Sequence, residues 1–305
     1  MTHYSSLRNT VRRAAHKSIA FTPSLTLSEV VEQCCHQASR STCDIARAVL
    51  RHAEMLAGRP VLVRECRYAF CRKLAEHMRR QGLADGTLRT YLERLGAMLR
   101  SVRGLDAPCL VPLLPPRCPA HKQVLTAAES HQLRSALNSD AACAAAGRAF
   151  FFSLQTALRF IDIAQLDWAH IHNYGEGYYL RKPIQKTGQV LEIGLNNTAC
   201  ALLQEQLGGC SLQQRPRAGR VFDGLPSYST ALRQLKHLAF VAGCEHFNLT
   251  FHVARHTFAS ELYRNSIPLA TISKMLGHSS LAVTETYIHS FRQDEQRALA
   301  LMNAF

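Results

Sequence analysis

Two histidines, an arginine and a tyrosine that could together handle one phosphate cluster in one short stretch of this chain. His252 and Arg255 lie three apart, so on a helix they share one face. A Gly277-His278 pair follows, and Tyr287 sits in a short apolar segment just past it. Arginine grips phosphate oxygens with a planar fork, and histidine moves protons near neutral pH. Tyrosine becomes a covalent nucleophile when a neighbour takes its proton. A free phenol has a pKa of about 10, so Tyr287 needs such a neighbour. His252 is the candidate, with the field of Arg255 favouring the phenolate. Each residue alone has an ordinary reading as a core histidine, a helix ion pair or a surface phenol; the ordered set does not.

These residues sit in segments that resemble the tyrosine recombinases, the phage-integrase family. HVARHTFAS at 252–260 looks like the family's His-x-x-Arg box, and LGHSSLAVTETYIH at 276–289 like its Gly-His…Tyr box. TALRFIDIAQLDW at 156–168 looks like its first arginine box, and the order and spacing are similar. The resemblance implies that Arg159 and Arg255 neutralise the non-bridging phosphate oxygens, with His278 donating a further hydrogen bond. Lys186, in a Lys-Thr-Gly turn, would protonate the leaving oxygen, with Lys182 as its competitor. Asp162 would orient a catalytic side chain. Attack by Tyr287 would leave a 3′-phosphotyrosyl link and a free 5′ hydroxyl. The implied function is site-specific recombination: integration, excision, inversion or resolution. The alternatives are relaxation of DNA by a type IB topoisomerase, and a non-cleaving DNA-binding regulator on the same fold. No cofactor or metal is expected, since the chain has no GxxxxGK[ST] loop and no carboxylate cluster suited to two metals.

Composition agrees with a polyanionic partner. The formal net charge is +14, and residues 1–120 carry 19 Lys and Arg against 9 Asp and Glu. Double-stranded DNA is the expected partner. The resemblance adds a homo-oligomer, a tetramer on paired sites, and accessory DNA-bending proteins. The 11 cysteines follow no regular spacing and read as small core residues in a reducing compartment. No signal peptide, membrane span or separate arm-binding domain before residue 25 is expected, so the chain reads as cytoplasmic.

The elements that must position these residues suggest two domains. Residues 1–24 read as a basic lead-in. Helical patterns at 25–39, 44–58, 62–82 and 86–104 make a helical core-binding domain over 25–104, which resembles the SAM-like domain of the family. In the last pattern, Leu88, Tyr91, Leu92, Leu95, Met98, Leu99 and Val102 form one stripe. Arg89, Arg94, Arg100 and Arg103 lie off it as candidate DNA contacts. Residues 105–123 hold five prolines and read as an extended linker. Residues 124–305 read as an α+β catalytic domain. Its helices are expected near 127–138, 141–157, 196–207 and 227–242. Three short strands, WAHIH, GYYLRKPI and QVLEIGL, are expected to form an antiparallel sheet. Arg215, Arg217 and Arg220 in the loop before the 227–242 helix are further candidate DNA contacts. The apolar tail ending in Phe305 is expected to dock on its own domain or on a neighbouring subunit. The fold class is therefore mainly α with a small antiparallel β-sheet.

Overall fold

The computed structural model describes residues 19–36, 38–117, 123–184, 188, 190–278 and 284. Lys186, Tyr287 and the C-terminal tail lie outside the described residues. The chain divides between residues 119 and 120 into two compact units. None of the described helices is long and apolar enough to cross a membrane.

The first unit is built from α1 (Leu27–Cys35), α2 (Arg40–Ala57), α3 (Tyr68–Arg80) and α4 (Asp85–Arg100). Thr26 starts α1 with a capping box: its hydroxyl accepts from Glu29 N at 3.3 Å, and its own N–H donates to the Glu29 carboxylate at 2.8 Å. Gly58, at φ +67°, stops α2. The α4 stripe is buried at Leu88, Leu92, Leu95, Met98 and Leu99, against Leu27, Val30, Leu74 and Met78.

In this unit two short stretches differ from the sequence reading. Ile19–Ala20 (β1) pairs in parallel with Val102–Arg103 (β2), so the lead-in and the end of the fourth helical pattern close a small ribbon. Residues 105–117 are not an extended linker. They pack on this unit through buried Leu110 and Leu113, with a 3-10 turn at Val111–Leu113. Leucines at 110, 113 and 114 supply the apolar area that a solvated spacer lacks.

The second unit runs α5 (Ala127–Ser139), α6 (Ala144–Thr156), α7 (Phe160–Ala164), β3 (Ile171–Asn173), β4 (Tyr178–Pro183), β5 (Val190–Gly194), α8 (Asn197–Gln206), α9 (Tyr228–Val241), α10 (Phe251–Arg264) and α11 (Leu269–Leu276). α6 is apolar on nearly every side and lies at the centre, against α8, α9 and α10. The sheet is antiparallel in the order β3-β4-β5, with Leu180 opposite Ile171 on one side and Ile193 on the other. Leu180, Leu191 and Ile193 alternate inward onto the core. Trp168–His170, expected in the first strand, instead forms a 3-10 turn. Asp167 caps that turn by accepting from Ala169 N at 2.9 Å.

Candidate active site

α10 carries two of the expected residues. Its N-cap Thr250 accepts from Val253 N at 3.3 Å, which fixes the register of the helix. His252 is exposed and Arg255, one turn on, is buried at 4% exposure. A buried guanidinium must be satisfied, and its partners explain the local architecture. Arg255 Nη1 donates to Ala157 O at 2.5 Å, and Nη2 donates to Leu276 O. Both carbonyls end helices: Ala157 caps α6 with φ +54°, and Leu276 is the last residue of α11. Arg255 thus supplies a cation at the negative ends of two other helices, one of which, α6, has no basic residue in its last turn.

This tie gathers the remaining pieces. Beyond Ala157 the chain runs through Leu158 to Arg159, the N-cap residue of α7. Beyond Leu276 it turns at Gly277, φ +60°. There Gly277 N donates to Lys274 O and His278 N to Ser273 O, each at 3.0 Å, the paired pattern of a Schellman cap. The turn needs glycine for a second reason. A methyl on Gly277 would run into Ile184 Cδ1 of the β4–β5 hairpin, well under 3.0 Å. His278 is then set against the guanidinium, with Nε2 3.0 Å from Arg255 Nη2 and Nδ1 2.8 Å from the buried Thr284 hydroxyl. A guanidinium only donates, so Nε2 accepts, and the ring proton lies on Nδ1 facing Thr284.

Arg159, His252 and Arg255 line one cavity of about 380 Å³, together with Phe160, Ile161, Tyr228 and Phe251. Phe160 packs at 5.0 Å, ring to ring, on both Tyr228 and Phe251, and these aromatic walls fix the start of α7 beside Arg159. Asp162 is buried at 1% exposure, and its backbone carbonyl accepts from Lys182 Nζ at 2.9 Å. Burial holds the Lys182 ammonium below the usual lysine range, against the pull of the Asp162 charge. Lys182 therefore supports α7 from the sheet.

The arginines expected on the surface fall into two groups. Arg94 is half-buried, while Arg100, Arg103, Arg217 and Arg220 are exposed. Arg89 donates to Pro115 O at 2.5 Å and pairs with Glu93 at 3.0 Å. Arg215 donates to Ile171 O at 2.8 Å and lies over the Tyr178 ring. Those two hold their own units together. Sequence reasoning missed Ala157, Thr284 and Tyr228. An alanine with positive φ leaves no compositional mark. Thr284, six residues after His278, was visible only as part of the Gly-His…Tyr segment.

Residues 123–294, more than half of the chain, match the model of the phage integrase family. The chain belongs to that family. The integrase of Salmonella phage P22 is 28% identical to this integrase-family chain over 148 residues, 45% of this chain and 37% of that protein. The tyrosine recombinase XerD of Brucella suis is 42% identical over 57 residues, 19% of this chain and 18% of that protein. These alignments span less than two thirds of either relative. The fold is that of the Tn1549 transposon integrase solved in complex with transposon right end DNA: the TM-score is 0.67 at 20% identity, covering 92% of this chain and 100% of that one. The XerH site-specific recombinase bound to palindromic difH substrate gives 0.69 at 16% identity, covering 91% and 84%. Arg159, Asp162, Lys186, His252, Arg255, His278 and Tyr287 all fall within the family match.

Proposed function

We propose that this chain is a tyrosine-type site-specific recombinase that cuts and rejoins duplex DNA through Tyr287. The observation that carries the reading is the convergence of Arg159, His252 and Arg255 on one cavity, with His278 hydrogen-bonded to the Arg255 guanidinium. A phosphodiester resists attack because its anionic oxygens repel nucleophiles. Two guanidiniums placed where charge develops lower that barrier, and His278, accepting from Arg255 through Nε2 rather than donating to the phosphate, positions one of them. In the cleavage step the Tyr287 oxygen attacks phosphorus and its proton passes to His252. The phosphorus–O5′ bond breaks, and Lys186 protonates the leaving oxygen. A 5′ hydroxyl from another strand then attacks the phosphotyrosine and releases Tyr287. One phosphoester is exchanged for another, so the cycle consumes no ATP.

The burial of Lys182 under α7 supports Lys186 as the general acid, because Lys182 Nζ is committed to the Asp162 carbonyl. Asp162, through that carbonyl and its place in α7, is read as a positioning residue for Arg159. The net charge of +14 and the exposed Arg100, Arg103, Arg217 and Arg220 support binding to the DNA backbone. A tetramer on paired sites in the cytoplasm, helped by DNA-bending proteins, completes the reading. The test is a pair of candidate duplex sites, one of them nicked next to the cleavage point so that the freed strand diffuses away. A recombinase leaves a covalent protein–DNA adduct on the nicked site and yields strand-exchanged products from intact sites. Relaxation of supercoils without exchange would assign a topoisomerase, and tight binding without any adduct a regulator.

A further inference from the structure

Outside the arginine cavity, three metal-ligating side chains meet where α5, α6 and α9 join. Asp140 ends α5 and caps the 3-10 turn Ala141–Cys143; its Oδ1 accepts from Ala142 N at 2.8 Å. That bond leaves Oδ2 turned the other way. There it accepts from the buried Cys143 thiol at 3.5 Å and lies 2.9 Å from Nε2 of His237, on α9. The three ligand atoms, one oxygen, one sulfur and one nitrogen, lie within 4.8 Å of one another. We infer that Asp140, Cys143 and His237 bind one divalent cation of the zinc type.

The donor set selects the ion. Thiolate and imidazole exclude magnesium and calcium, which take oxygen ligands. A tetrahedral zinc ion holds sulfur at about 2.3 Å and nitrogen or oxygen at about 2.0–2.2 Å. Its ligand atoms then stand roughly 3.3–3.8 Å apart, against 2.9 and 3.5 Å for the two pairs that share Asp140 and at most 4.8 Å for the sulfur–nitrogen pair. Closing on the ion requires only small side-chain movements. The carboxylate is oriented as a metal ligand should be, by a hydrogen bond to its other oxygen. Burial and the Asp140 charge push the Cys143 thiol up to about 11, so the ion itself would have to displace the proton, and a sulfur–metal bond would replace the thiol's bond to Asp140. His237 also lines a cleft of about 730 Å³, so solvent reaches the imidazole side of the cluster. The ion would brace α9, whose first residue, Tyr228, lines the arginine cavity. The pattern hides in the sequence because His237 is far from the Asp-x-x-Cys pair.

Cobalt(II) added to the chelator-treated full chain is the direct probe. We expect one equivalent bound, with a thiolate-to-cobalt charge-transfer band and the visible bands of a tetrahedral ion, and zinc should displace it. Zinc should also raise Tm, rising with the logarithm of its free concentration once that exceeds Kd. His237→Asn, at an exposed position, should weaken cobalt binding by at least about tenfold and leave the fold intact. Cys143→Ser should abolish the charge-transfer band. Absence of a band in the wild type would show a hydrogen-bonded ion pair only and overturn the inference. So would a band unchanged in His237→Asn, which decides the matter even if Cys143→Ser does not fold.

Discussion

Gly277→Ala tests how tightly the Gly-His turn is locked to the β4–β5 hairpin. The substitution has two separable costs. Placing a Cβ at φ +60° costs about 1–2 kcal/mol. The same methyl meets Ile184 Cδ1, an atom of a side chain only 1% exposed with little room to turn. Overpacking of that kind costs about 1–3 kcal/mol. The sum, about 2–5 kcal/mol, is a large share of a typical domain's stability. Ile184→Val removes the clashing Cδ1 and by itself costs about 0.5–1.5 kcal/mol. In that background Gly277→Ala should cost only the backbone part, leaving a coupling of about 1–3 kcal/mol. Equilibrium urea denaturation of the wild type, the two single variants and the double variant measures it, from the midpoints at constant m. Additive costs, with coupling below about 0.5 kcal/mol, would refute the steric lock. Ile184 would then swing aside, and the turn that presents His278 would not be held by the hairpin.

Arg255→Lys keeps the charge but cannot reach both helix-end carbonyls and His278 together. It should cost about 3 kcal/mol by denaturation and slow adduct formation by about 100-fold or more on a nicked duplex. Arg100→Gln and Arg103→Gln should each lower the slope of log affinity for DNA against log salt by about 0.9 with unchanged Tm. Arg89→Gln should lower Tm as well, because its guanidinium holds Pro115 O and Glu93. Burial raises the Glu129 carboxyl, but bonds from the Thr126 N–H and hydroxyl and from His246 outweigh it and hold the group below the usual carboxylate range. Its stabilising contribution is therefore complete above the unfolded carboxyl pKa and lost as pH falls through the folded one. Glu129→Gln should flatten the acid limb of a Tm-against-pH curve.

Much of this architecture was legible because it rests on local signals. The Thr26 and Thr126 capping boxes and the Gly277 stop each lie within one turn of the residues they organise, and the α4 stripe lies within a single helix. Boundaries slipped where a single side chain overrode the pattern. Asp167 capped a 3-10 turn at Trp168, where apolar residues suggested a strand. Pairings across long separations left no periodic trace. The two-residue β1–β2 ribbon joins residues 19 and 102, and Arg255 reaches Ala157 and Leu276. The residue types in the box implied a guanidinium for phosphate. They did not reveal that two of its bonds also tie two helix ends together. Arg89 and Arg215 taught the converse: an arginine off the apolar stripe, or in a polar loop, can be held by carbonyls that only the fold brings near.

The decisive measurement is the identity of the residue that carries DNA. The full chain is incubated with a library of nicked duplex fragments, denatured and digested, and the nucleotide-bearing peptide is mapped by mass spectrometry. A single adduct on Tyr287 is expected, joined through a 3′ phosphate and absent in Tyr287→Phe. An adduct on Tyr228, the phenol in the arginine cavity, would contradict it, as would one that survives in Tyr287→Phe, or no adduct on fragments the chain binds and protects.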